Sequence, residues 1–116
     1  MKFVALVVIV PSESETEVKG IAKEAGAVGA TIFDAKGSGV EEKKSFFSLT
    51  FEGNQTVLLY VLEEGISRKV LKAIKLYIDG ERNKGLAFTT PINYMVGLDK
   101  VLLHKFEKNI EQEERL

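Results

Sequence analysis

The chain has 116 residues, of which 45% are hydrophobic and 28% charged, the balance of one soluble globular domain. Its 16 basic and 17 acidic residues leave a net charge of −1, which disfavours binding of the molecule to nucleic acid or to an anionic membrane. Cysteine is absent, which excludes disulfides, thiol catalysis and cysteine-based metal centres, and the single histidine, His104, cannot form a histidine cluster within one subunit.

The N-terminal part of the chain predicts a strand followed by a capped helix. Residues 3–10 form an apolar run that is too short to cross a bilayer and lacks a small-residue cleavage site, so we expect a buried strand of a cytoplasmic protein. Two overlapping segments, residues 12–15 and 14–17, match a capping box. Gly26 then ends the helix. Its apolar stripe consists of Val18, Ile21, Ala22 and Ala25.

The next segment predicts a second strand that ends in a glycine-marked loop. Residues 30–36 are strand-like and lead into Gly37 and Gly39. Residues 40–45 predict an exposed charged loop, and residues 46–51 predict an imperfectly alternating strand. Glycine permits positive φ and close backbone approach, so the two glycines suit either a plain turn or a small anionic ligand.

The second half of the chain repeats this order. Residues 56–62 predict a strand, and residues 65–77 predict an amphipathic helix. A polar turn over residues 80–85 precedes a last strand over residues 86–92, and Pro91 near its end indicates that this end lies at an edge of the sheet or where the chain leaves it. The two β-α-β halves predict an α+β fold, a ferredoxin-like βαββαβ sandwich with an extra strand hairpin and a C-terminal helix.

We expect residues 1–98 to form this domain and residues 99–116 to form the C-terminal helix, packed on the domain or extending from it. Asp99 is its expected N-cap. The second and fourth main strands carry more large apolar residues than one sheet face needs. Since monomers rarely expose large apolar patches, we also expect an oligomer whose sheets face one another.

Several segments in this order resemble the PII signal-transduction family of trimeric cytoplasmic regulators of nitrogen and carbon metabolism. The similarity extends over residues 1–96 and rests on the helix ending Glu24-Ala25-Gly26, the glycine-marked strand over residues 29–39 and the strand over residues 87–92. It implies a homotrimer with a small-molecule effector, an adenine nucleotide (ATP, ADP or AMP), bound between subunits. It also implies a protein partner, which is a regulated enzyme or a membrane transporter.

The resemblance further implies which residues bind the ligand and which meet the partner. In the family, glycine amides and basic side chains of the T-loop base, the B-loop and the C-loop surround the phosphates. The implied ligand-binding residues are Gly37, Ser38, Gly39, Arg82, Lys84, Gly85, Leu86 and Lys100. The implied partner loop, a short T-loop, consists of Val40, Glu41, Glu42, Lys43 and Lys44.

The chain departs from the family pattern at several of these positions. Leu86 stands where a lysine is usual, and Lys100 lies in the stretch that usually carries two arginines. Glu41 replaces a glutamine that helps to bind 2-oxoglutarate through magnesium, and no tyrosine lies between Gly39 and Gly53 to accept uridylylation. An alternative is therefore a trimeric interaction or scaffold module of PII-like fold that has lost nucleotide binding.

Plainer interpretations stay open beside these. The paired glycines could simply make a turn, and Arg82 and Lys84 could be solvated surface charges. A related trimeric metal-tolerance protein of the CutA type is a third possibility, which the shortage of histidine and cysteine disfavours. No nucleophile and base are spaced for catalysis, so we expect a regulator rather than an enzyme.

Overall fold

The computed structural model describes residues 1–36, 45–46, 49–50, 54–80 and 84–97, with only the backbone of residues 45–46 and 49–50. Its elements are β1 (Phe3–Pro11), a 3₁₀ turn (Ser12–Ser14), α1 (Glu15–Glu24), β2 (Thr31–Ala35), β3 (Ser45–Phe46), β4 (Leu49–Thr50), β5 (Gln55–Glu63), α2 (Glu64–Asp79) and β6 (Leu86–Pro91). The predicted C-terminal helix over residues 99–116 lies outside the described residues.

Four strands form one antiparallel sheet in the order β2-β5-β1-β6, and the two helices pack on one of its faces. This is the strand order of a ferredoxin-like βαββαβ fold, so the predicted fold class is confirmed. Since β6 pairs only with β1 among the described strands, Pro91 lies at an edge, as predicted.

The core lies between this sheet and the helices. Alternate residues of β1 and β5 point to the helices because successive side chains in a strand point to opposite faces. The predicted stripe of α2 is buried at Ile66, Val70 and Ile74. The buried core residues are Leu6, Val8, Val10, Val18, Ala22, Ala27, Leu58, Tyr60, Leu62, Ile66, Val70 and Ile74.

The opposite face of the sheet is apolar as well. In the antiparallel register, Val7 lies between Leu59 and Phe88 on this face. Two aromatic side chains stay partly open to solvent there, Phe33 at 49% and Phe88 at 39% exposure. No described helix covers this face, which is the arrangement that the oligomer prediction requires.

Two local predictions are wrong. Neither predicted capping box forms, because Ser14 makes no side-chain cap bond and the hydroxyl of Ser12 instead accepts a hydrogen bond from Thr56 at 3.0 Å. The predicted strand over residues 46–51 is two short strands, β3 and β4, which pair with each other in a separate sheet. This antiparallel pair of short strands corresponds to the predicted extra hairpin.

The predicted end of α1 at Gly26 is correct and takes the form of a Schellman motif. The amide of Gly26 donates to the carbonyl of Lys23 at 3.1 Å, and that of Ala27 donates to Ala22 at 2.9 Å. Gly26 adopts φ +116°, which side chains with a Cβ rarely tolerate. The motif turns the chain sharply from α1 towards β2 and so shapes the space between them.

Candidate ligand-binding site

Three of the predicted ligand-binding residues, Lys84, Gly85 and Leu86, lie within the described structure. The others lie outside the described residues, so their roles stay predictions. They are Gly37, Ser38, Gly39, Arg82 and Lys100. The predicted partner loop, Val40, Glu41, Glu42, Lys43 and Lys44, also lies outside them.

The described part of the predicted turn joins α2 to β6. The side chain of Lys84 is exposed and makes no ion pair with any other described residue. Leu86 is half-buried and pairs with Ile9 of the central strand. The start of β6 therefore carries a half-buried apolar residue, and two positions earlier in the chain an exposed lysine that makes no ion pair with another described residue.

At Gly85 the space for a side chain is tight, and the backbone angle is ordinary. A Cβ atom at this position would lie 3.0 Å from Cγ1 of Val10 and 3.2 Å from Cδ1 of Ile78. Its φ is not positive, in contrast to those of Gly26 and Gly29. The sequence indicated a special glycine here, and the structure shows that the reason is the close approach of the chain to the core.

A small cavity of about 290 Å³ lies where α2 ends and β6 begins, with Gly85 and Leu86 in its wall. At its mouth, Nζ of Lys75 donates to Oδ2 of Asp79 at 2.6 Å. This hydrogen bond and the charge of Asp79 raise the pKa of Lys75. Lys75 is thus paired, whereas Lys84, which precedes Gly85 in the chain, makes no ion pair with another described residue.

A second cavity, which the sequence analysis missed, lies between α1 and the edge strand β2. Its volume is about 500 Å³. The lining residues are Lys19, Lys23, Ala27, Val28, Gly29, Ala30, Ile32 and Tyr60. The only sequence signal for it is the pair of lysines one helical turn apart, just before the helix-ending glycine.

Tyr60 is the unusual member of this lining. Its side chain is only 1% exposed, and its hydroxyl has no hydrogen-bond partner among the described residues. Burial raises the pKa of the phenol above its ordinary value, which already lies well above neutral pH. The protonated hydroxyl can donate a hydrogen bond. Buried polar groups usually have a partner, and an exception calls for a specific explanation.

The largest of the described cavities, about 560 Å³, lies elsewhere, between the N-terminus and the segment after β6. It contains none of the predicted ligand-binding residues. Its one lysine, Lys2, lies 3.9 Å from the carboxylate of Glu64. Its volume is therefore the only feature that favours it as a ligand-binding site.

The part of the chain that the structure describes contains neither a cluster of metal-ligating side chains nor a membrane-spanning helix. No group of three or more acidic, histidine or cysteine side chains there is arranged to hold a metal ion. None of the described helices has the length and hydropathy that crossing a membrane would need.

These features define an α+β protein of ferredoxin type with cavities at both edges of its sheet. The sequence matches the family model described as nitrogen regulatory protein P-II over residues 2–99, so the chain belongs to the PII family. No curated protein matches the sequence.

Solved structures of PII-like proteins share the fold. A PII-like signalling protein from Thermus thermophilus superimposes with a TM-score of 0.62 at 18% identity, over 79% of this chain and 87% of that chain. CPII from Thiomonas intermedia, bound to ADP, AMP and acetate, gives 0.61 at 16% identity, over 78% of this chain and 86% of its own. The apo form of CPII gives 0.61 at 17% identity, over 79% and 90%.

We expect Gly85→Ala to lower the free energy of unfolding by about 1–3 kcal/mol, because the added methyl group overpacks the space against Val10. Urea denaturation measures this change. Gly20→Ala is the matched control, since nothing lies within 4 Å of its Cβ position and the helix should gain up to about 1 kcal/mol. A Gly85→Ala protein that is as stable as the wild type, or more stable, would contradict the packing role.

We expect Tyr60→Phe to leave the ligand-free protein as stable as the wild type or slightly more stable, because it removes a buried hydroxyl that lacks a partner. Urea denaturation with Tyr94→Phe as the control tests this, since Tyr94 is 96% exposed. A loss of more than about 1 kcal/mol in Tyr60→Phe alone would show that the hydroxyl has a stabilising partner.

Proposed function

We propose that this protein is a non-enzymatic PII-like regulator that binds an adenine nucleotide between the subunits of a homotrimer. The bound nucleotide biases the short T-loop, residues 40–44, between conformations that a regulated enzyme or membrane transporter distinguishes. Family membership and the adenine nucleotides bound to CPII support this proposal.

The order of the strands in the sheet supports a ligand-binding site that lies between two subunits. Gly37 follows β2 closely and Leu86 begins β6, and these two strands are opposite edges of the sheet. Three strand spacings of about 4.8 Å separate them, roughly 14 Å in all. Glycine amides after β2 and the lysine before β6 therefore need two subunits to surround the same phosphate group. A closed ring, in which one edge faces the other edge of the next subunit, would bring them together.

The apolar open face of the sheet supports the trimer. Phe33, Val61 and Phe88 are exposed there, and Val7 and Leu59 lie half-buried between them. Exposure of a contiguous apolar surface of this kind to water is unfavourable in free energy, and its burial against a second sheet stabilises the assembly. Three copies related by a threefold axis would turn these faces towards one another.

We expect ADP, AMP or ATP to raise the melting temperature of the purified protein, because a ligand at about 100 times its Kd adds about 2.7 kcal/mol of stability. Lys84→Ala should weaken the binding about tenfold by removing a charge-assisted contact to phosphate, whereas Lys72→Ala on the exposed surface of α2 should not. Isothermal titration calorimetry measures both. If no nucleotide binds to the intact oligomer, the trimeric interaction module becomes the better function.

We expect Leu59→Glu to dissociate the trimer, because it places a charge at the centre of the open apolar face. Light scattering should show a fall from three times the 12.9 kDa of one chain to that value. Leu76→Glu is the control, since Leu76 is 69% exposed on α2. A folded Leu59→Glu protein that stays trimeric would place the interface elsewhere.

A further inference from the structure

We propose that the cavity between α1 and β2 binds an organic anion with a flat apolar body. The anionic group pairs with Lys19 and Lys23, and a polar atom at the other end of the ligand hydrogen-bonds to the hydroxyl of Tyr60. A nucleoside monophosphate and an aromatic carboxylate share this chemistry. The proposal stands on features of one subunit and does not require the contact at Lys84.

The walls of the cavity are apolar and held in place by backbone structure. The Schellman motif positions Ala27, and the pairing of β2 with β5 holds Ile32 beside Leu58. Gly29 adopts φ +79° and has open space where its Cβ would lie, so this side of the cavity is not filled. The volume of about 500 Å³ falls within the range of small-molecule sites, which are mostly apolar with a few placed polar groups.

The hydroxyl of Tyr60 is the observation that points to a ligand. Tyr60 belongs to the cavity lining, and its hydroxyl has no partner among the described residues. The oxygen has almost no accessible surface, so a ligand reaches it only with a small shift of the adjoining lining. Burying a hydroxyl without a hydrogen bond is unfavourable, and a ligand atom of opposite polarity would remove that cost. A phenol can both donate and accept, so the inner end of the ligand needs one acceptor or one donor.

The two lysines supply the charge. Lys19 and Lys23 lie one turn apart on the same face of α1, and both line the cavity. Neither forms an ion pair with another described residue, whereas Lys75 is paired with Asp79. Two unpaired like charges at this spacing repel each other, so an anion between them is stabilised by both.

The probes for the test are AMP and 4-hydroxyphenylacetate, titrated into the full-length protein by isothermal titration calorimetry. We expect at least one of them to bind. Tyr60→Phe should weaken that binding about tenfold, the effect of one lost hydrogen bond to a buried partner. Lys19→Ala combined with Lys23→Ala should weaken it by at least the same factor. The melting temperature of each variant is measured first, to verify that it folds.

Matched controls separate the cavity from general surface effects. Tyr94→Phe removes an exposed phenol, and Lys72→Ala removes a lysine that is not in the lining, so both should leave affinity unchanged. In amide NMR spectra, the bound probe should shift the signals of residues 27–30, and Tyr60→Phe should reduce those shifts at the same probe concentration. These readouts depend on the location of the ligand and not on overall stability.

Each outcome decides the proposal. Tyr60-dependent binding of AMP supports it with a nucleotide as the ligand, and Tyr60-dependent binding of 4-hydroxyphenylacetate alone supports it with a carboxylate. The proposal is overturned if neither probe binds. It is also overturned if Tyr60→Phe leaves the affinity of every bound probe unchanged, even when the lysine variant weakens binding. Loss of nucleotide binding in Lys84→Ala tests the proposed function separately.

Discussion

The antiparallel pairing of the central strand β1 on both of its sides determines most of this architecture. β1 pairs with β5 from Phe3 to Pro11 and with β6 from Val4 to Ile9. Both pairings align the apolar residues of three strands on common faces, and a slip of one residue would turn every side chain to the wrong face. This register buries Leu6 and Val8 under the helices and also leaves β2 and β6 as the two edges.

Positioning of the edges links the fold to function. The glycine-marked segment follows β2 in the chain, whereas the turn that carries Lys84 precedes β6, and these two strands are opposite edges of the sheet. Ligand binding and assembly are therefore coupled in the function that we propose. The apolar second face, with Phe33 and Phe88 still exposed, points to the same requirement from a different part of the sheet.

Glycine and tyrosine positions show how different physical roles can look alike in a sequence. Gly26 adopts a positive φ to end α1, whereas Gly85 has an ordinary φ and little room for a side chain because Val10 and Ile78 lie against it. Tyr60 occupies a core position of β5 yet brings a hydroxyl that the described core does not satisfy. In the first two cases the constraint is steric, and in the third it is the cost of an unpaired buried polar group.

The sequence by itself determined the element types, their order, the ferredoxin-like class and the family. The periodicity of apolar residues and the glycines at the ends of elements are local signals. They are strong in the segments that form β1, α1, α2 and β6. Tertiary structure decided what depends on contacts distant in the chain. The hydroxyl of Thr56 donates a hydrogen bond to Ser12, and neither predicted capping box forms. The strand β3 pairs with β4 in a segment where one strand was predicted. The lining of the cavity at Tyr60 comes from α1, the segment after it, β2 and β5. The pairing of β2 with β5 brings residues distant in the chain together, and no local sequence pattern encodes that contact.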